Sequence, residues 1–269
     1  MRGAAVTRTL VVGVAVAIIP LAMSAFGVLN IGQALNWISF LAALVAGLAF
    51  LAAMGGRENV MGIARSAFFV QWFAYALAAF ELWRILFTHD FRFQYVASYS
   101  SLAMPAHYVY AAFWGGQEGT FMLWALLTAT LGLVLMRGRH ALTTGSMFFL
   151  NLPLIMLGLV TVMRGPFLVF AAGNVPVDGN GLNPLLQDPW MTIHPPVLFT
   201  GFSSFVVPFA IACSAHAGPT SSSAGAATGA GTPSRTRPCC RGSRAPRCCT
   251  RASRTGRPVA CASWASSSS

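Results

Sequence analysis

The sequence of 269 residues has no lysine and only six acids, and charged residues make up 9% of it. Soluble domains carry about 25% charge. A chain this poor in charge cannot coat a water-facing surface, which excludes a soluble enzyme or binding module. Also missing are C-x-x-C, any Cys/His spacing of a zinc site, and C-x-x-C-H. A redox dithiol, a zinc module and a c-type cytochrome are thereby excluded. Cys213 stands alone; Cys239, Cys240, Cys248, Cys249 and Cys261 all fall near the C-terminus. The tryptophans (Trp37, Trp72, Trp83, Trp114, Trp124, Trp190, Trp264) are dispersed, so there is no tryptophan-rich loop.

What the chain does have is apolar sequence, 56% of it, gathered in long blocks. Crossing a bilayer takes about 20 apolar residues. Six blocks qualify: Leu10–Leu29, Leu35–Met54, Ala67–Phe87, Phe121–Met136, Met147–Met163 and Val197–Cys213. Lipid offers no partner for exposed backbone groups, so each must be helical. The expected fold is all-α, a polytopic transmembrane bundle of about six helices with a disordered C-terminal tail. Residues 1–30 read as an uncleaved N-terminal anchor helix, because no small-x-small cleavage site follows the first block.

Arginine gives the orientation. Arg2 and Arg8, Arg57 and Arg65, and Arg137 and Arg139 flank the blocks on one side, which the positive-inside rule makes cytoplasmic. Two long loops, about 88–120 and 164–196, fall on the other side. They hold four of the six acids, Asp90, Glu118, Asp178 and Asp188, and are expected to be periplasmic.

From residue 218 the composition turns to Ser, Ala, Gly, Pro, Cys and eight of the seventeen arginines. Such a segment, 218–269, cannot bury enough apolar area to offset chain entropy and is expected to be disordered. Without lysine it does not read as a nucleic-acid-binding tail. It has the look of a GC-rich frame read out of register. Sequencing the locus tests that: an intact frame encoding this tail in several isolates would count against it.

Two loop segments could carry chemistry. In Trp114-Gly115-Gly116-Gln117-Glu118-Gly119-Thr120 the glycines permit a tight turn or a close approach. Glu118 falls where a helix begins, at the positive end of its dipole. An interfacial aromatic with an ordinary helix start accounts for these residues equally. In Gly181–Pro196 the prolines and the glycine suggest a stiff, non-helical strap. The residue before proline is pushed towards extended geometry, so His194 would project from it, and Pro195 and Pro196 would fill the first turn of the next helix. A neutral imidazole held this way can ligate haem iron; a surface histidine is the other reading the residues leave open.

Three ordered motifs bear on the choice: FQYVASYS (93–100), WGGQEG followed by TFMLW (114–124), and NPLLQDPWMTIHPPVLFTGF (183–202). They resemble the N-terminal part of the CcmF/CycK/CcsA family of cytochrome c-type biogenesis proteins, over about residues 31–215. The resemblance implies a haem lyase activity: receiving haem b from a CcmE-type haem chaperone, working with a CcmH-type subunit, and attaching haem to apocytochrome c at the periplasmic face of the inner membrane. It implies that His194 is an axial haem ligand, with Trp114, Glu118, Pro195 and Pro196 around the cofactor. It also implies that the family's tryptophan-rich loop and second ligand histidine lie beyond the matched part. Of the other two histidines in the long loops, His89 sits at a helix end and His107 is a conceivable second ligand. The alternative class is a structural membrane subunit or a transporter fragment without haem chemistry; a transporter predicts charges near the helix centres, and they are almost absent. Glu81 and Arg84, three apart on one helical face, are expected to pair near a helix end.

Overall fold

The computed structural model describes residues 17–27, 29–138, 143–171 and 173–217, with the side chains of all of these but Glu58 and Met191. Residues 17–25 of the expected first block are helical; the rest of that block's N-terminal part and the 218–269 tail lie outside the described residues. Seven helices follow: α1 (Ile31–Met54), α2 (Met61–Phe87), α3 (Gln94–Tyr99), α4 (Ala106–Ala111), α5 (Gln117–Arg137), α6 (Thr143–Met163) and α7 (Pro189–Ala217). Five are long and apolar enough to cross a membrane: α1, α2, α5, α6 and the Thr192–Ala217 part of α7. Among the described residues there is no strand, only one isolated bridge between Phe93 and Val169.

The bundle is built inside out relative to a soluble one. Where α1 meets α2 and α6 the buried residues are small: Ala42, Ala43, Ala46 and Gly47 on α1, Ala64, Ala74, Ala78 and Ala79 on α2. Small side chains let backbones approach closely, the packing that holds helices together when lipid is as apolar as leucine. Phe50, Phe68 and Tyr75 are fully buried among them, yet many other large side chains point out: Leu48 is 68% exposed, Phe80 65% and Met156 67%. In water such a surface would be a continuous aggregation patch; in lipid it is solvated.

Local chemistry sets the helix ends. Asn30 begins α1 with a capping box, its side chain accepting from the Gln33 amide (2.9 Å) while Gln33 accepts from the Asn30 amide. The same side chain donates to the Phe167 carbonyl (2.6 Å), tying α1 to the loop after α6. α2 closes with the paired bonds Asp90 N–H to Ile85 O and His89 N–H to Leu86 O. This is a Schellman end, with His89 at φ +48° in the position glycine usually fills. The Glu81–Arg84 pair forms as expected, at 2.6 Å.

One expectation is corrected. The strap before the sixth block is not extended at His194. A short 3₁₀ turn covers Pro184–Gln187 and α7 starts at Pro189, so His194, Pro195 and Pro196 are already helical. The cause is Asp188: its carboxylate accepts from the Trp190 amide (2.8 Å) and its carbonyl from the Thr192 amide. Proline at the first helical position lacks only an N–H that has no helical partner. Pro189 rather than Pro195 takes that role.

Candidate functional site

All connections rich in motif residues gather at one end of the bundle, opposite the turns bearing Arg57, Arg65 and Arg137. The loop after α2 and the loop after α6 are stitched together. Gln94 donates its amide to Leu168 O (2.8 Å) and its side chain to Val169 O (3.1 Å), and Phe170 donates back to Arg92 O (2.9 Å). Further along, Asn180 and Gly181 donate to Ala97 O and Ser100 O, and Asp178 accepts from the Leu102 amide. The Tyr108 hydroxyl donates to Gln187 O at 2.6 Å. These bonds hold the two loops as one cap over the helix ends.

Under the cap Tyr95 is the centre. Its hydroxyl faces the carbonyls of Ala112 and Phe113 (3.0 and 2.8 Å) and accepts from the Gly116 amide (3.1 Å). Burial pushes its phenol far above the usual range. Burial also raises Tyr99, and the Glu118 carboxylate adds to the effect. Glu118 lies in the first turn of α5, as expected, and one of its carboxylate oxygens is buried without a partner. It lines a cavity of about 120 Å³ with Tyr95, Tyr99, Gln94 and Gly165. That is below the roughly 300–1,000 Å³ of small-molecule pockets.

Trp114 faces elsewhere. Its half-buried ring contacts Tyr110 and Phe113, and with Leu182, Leu186 and Thr192 it lines a small cleft at the start of α7. The structure therefore sets Trp114 beside the helix turn that carries His194 and turns Glu118 to the Tyr95–Tyr99 cavity. Four residues before His194 on the same face of α7 stands Trp190, 80% exposed; three residues after it stands Val197, 63% exposed. His194 is itself exposed, while Pro195 and Pro196 are half-buried. His107 is exposed on α4, its ring 4.1 Å from that of Tyr108. Among the described residues no three His, Cys, Asp or Glu side chains converge on a metal. A metal held by His194 would need other ligands from outside the described residues.

Residues 114–218 match the family described as "Cytochrome C assembly protein". The chain is 35% identical over 183 residues to the cytochrome c-type biogenesis protein CcmF of Pseudomonas fluorescens, covering 62% of this chain and 26% of the relative. To CcmF of Escherichia coli K12 it is 33% identical over 166 residues, 58% of this chain and 25% of the relative. To CycK of Bradyrhizobium diazoefficiens it is 29% identical over 171 residues, 59% and 24%. Over its matched part, the chain is similar to cytochrome c-type biogenesis proteins.

The chain spans about a quarter of the length of the curated relatives it matches. No solved structure matches it. The family match includes Trp114, Glu118, His194, Pro195 and Pro196. Tyr95 and Tyr99 stand in the first motif, and their i, i+4 spacing, which puts both rings on one helical face, is the signal in the sequence that pairs them. Trp190 could have been found the same way, four residues before His194.

Proposed function

We propose that this chain is a haem-handling component of cytochrome c maturation, with His194 as an axial ligand to haem b. The observation that carries the reading is an exposed imidazole on an otherwise apolar helix face, between Trp190 and Val197. A porphyrin needs a neutral nitrogen donor on its axis and apolar contact for its ring, and this face offers both. Asp188 and Pro189 fix where α7 starts, and so fix the direction of the imidazole. Pro195 and Pro196 stiffen the turn it stands on.

In this reading the joined loops face the periplasm and the arginine-bearing turns face the cytoplasm of a bacterial inner membrane. The Arg57, Arg65 and Arg137 placement supports it through the positive-inside rule. A CcmE-type chaperone would deliver haem to this end, beside a CcmH-type subunit, and apocytochrome c would approach the same face. Haem, when bound, supplies the vinyl groups to which cysteine thiols add; the part of this chain is to hold and orient it. The lyase step itself would draw on parts of the pathway outside the quarter of the relatives' length found here.

The test is haem content of the membrane-purified chain by pyridine haemochrome spectrum, wild type against His194→Ala. Loss of haem in the variant, with unchanged expression, is the expected result. Equal haem in both proteins rejects the ligand assignment.

A further inference from the structure

A line of buried polar atoms enters the bundle from the joined loops. Next to the Glu118 cavity, and sharing Gly165 and Leu168 with it, lies a second cavity of about 50 Å³ lined by Asn36, Thr161 and Gln33. Asn36 is 2% exposed. Its side-chain N–H donates to Thr161 O (3.2 Å), while its Oδ1 has no partner. Gly165 lines both spaces, and a Cβ there would collide with the Thr161 carbonyl and come within 2.9 Å of the Asn36 nitrogen.

The line continues deeper. The fully buried Tyr75 directs its hydroxyl towards Ser39 and Thr161 without completing a hydrogen bond of good geometry. Gln71, one turn away on α2 and 0% exposed, has neither amide atom partnered. Asn151 on α6 donates to Ala43 O (2.7 Å), and its Oδ1 is free. On α1 the residues involved, Asn36, Ser39 and Ala43, are spaced i, i+3, i+7 and so share one face. Both α2 and α6 pack on α1.

A buried polar atom without a partner costs about 1–3 kcal/mol, and lipid offers no relief. Several such atoms on three contacting helices call for a ligand that donates and accepts at each step. The ligand must also fit cavities of 120 and 50 Å³. Water meets both conditions, since one molecule needs only about 10–15 Å³ of such space and two to four polar partners. A lipid or porphyrin headgroup is too large.

We propose that the two cavities form a hydrated inlet, with Glu118 at its mouth, that carries ordered water past Asn36 to Tyr75 and Gln71 within the membrane-spanning part of the bundle. The inlet is separate from the exposed face of α7 and does not depend on haem being bound there. Glu118 thus gains a role that its distance from Trp114's cleft otherwise leaves open: its unpartnered oxygen accepts from the first water.

X-ray hydroxyl-radical footprinting of the whole chain in detergent, in ¹⁸O-labelled water, tests this directly. Radicals formed from bound water label the side chains they touch. Tyr75 is expected to be labelled at a rate comparable to exposed Trp190, while Phe68, equally buried but outside the lining of both cavities, stays unlabelled. In Asn36→Leu the labelling of Tyr75 should be lost. A wild-type chain in which Trp190 is labelled and Tyr75 is as silent as Phe68 overturns the proposal, even if the variant fails to fold. Gln71→Leu gives a second reading: a wet inlet predicts a lower thermal midpoint, and a higher one would mean the seam is dry.

Discussion

The Tyr95 hydroxyl occupies the space into which a side chain on Gly119 would project. The Phe113 carbonyl crowds the same spot, so the turn before α5 closes only because position 119 has no Cβ. Gly119→Ala should therefore force the Tyr95 ring or the 112–116 backbone to move, at about 1–3 kcal/mol for an overpacked site. Tyr95→Phe should cost at least as much, for a different reason. It leaves the Gly116 amide and two buried carbonyls without their partner, each worth about 1–3 kcal/mol when orphaned. Thermal unfolding in detergent measures both. An unchanged midpoint in either variant would show that the cap does not depend on this contact.

His89 stands where most helices place glycine. A non-glycine residue in the left-handed region costs about 1–2 kcal/mol, and here it is held by a 3.0 Å contact between Nδ1 and the fully buried Ser100 hydroxyl. Two substitutions separate backbone from side chain. His89→Val should be the worse, since a β-branched residue at φ +48° adds strain to the lost bond. His89→Gly should stay near wild type, because relief of the backbone offsets the missing contact. If both variants melt together, the turn does not set the stability of this end.

The residues made the spans legible and the site only partly so. Long apolar blocks located every described spanning helix, because lipid demands helices and apolar faces together. Starts were harder: the sequence places Pro195 and Pro196 in the first turn of the last helix, yet Asp188 and Pro189 open it. A cap depends on one hydrogen bond, and a proline rule applied at Pro195 applies equally at Pro189. His194 stands out in its motif, but its place on a helix does not. The cavity beside Glu118 was not legible, since Gly165 and Gln94 are far apart in sequence and meet only through the contacts that join the two loops. The polar seam was likewise hidden: Asn36, Gln71 and Asn151 lie within apolar blocks, and only the packing puts them on facing sides.

The Asp90–Arg92 pair makes part of the cap sensitive to acid. Hydrogen bonds from the Arg92 guanidinium, at 2.6 and 2.8 Å, hold the Asp90 carboxyl below its ordinary 3.8. A carboxylate depressed on folding contributes stability above its unfolded value and loses it as pH falls through the folded one. The pair's contribution should thus be complete near neutrality and vanish only below about pH 4. Arg92 is mostly exposed, 73% by its side chain, so the size is at most about 1 kcal/mol. The difference in midpoint between wild type and Asp90→Asn, followed from neutral to acid, should shrink to zero at the acid end. A gap that widens in acid would reverse the assignment.

The helix that carries His194 is the least embedded of the five spans. Only 17% of its spanning window is buried, against 39–50% for the others. It is held to α5 by a hydrogen bond from the Thr128 hydroxyl to the Ser203 hydroxyl, 3.0 Å apart and both fully buried. The Trp124 ring lies beside Phe199 and Phe202 at 5.8 and 6.1 Å. With so little of the helix buried, one hydroxyl pair weighs heavily. An interhelical bond of this kind is worth about 0.6–2 kcal/mol, so Ser203→Ala should speed hydrogen exchange along α7 while leaving α1 and α2 unchanged. Ser204→Ala is the control, because Ser204 is exposed and its hydroxyl only donates back to Thr200 O within the same helix. If α7 positions His194 for haem, Ser203→Ala should also reduce haem retention without touching the ligand, and Ser204→Ala should not. Equal exchange and equal haem in the two variants would mean that α7 is fixed by its turn at Asp188 alone.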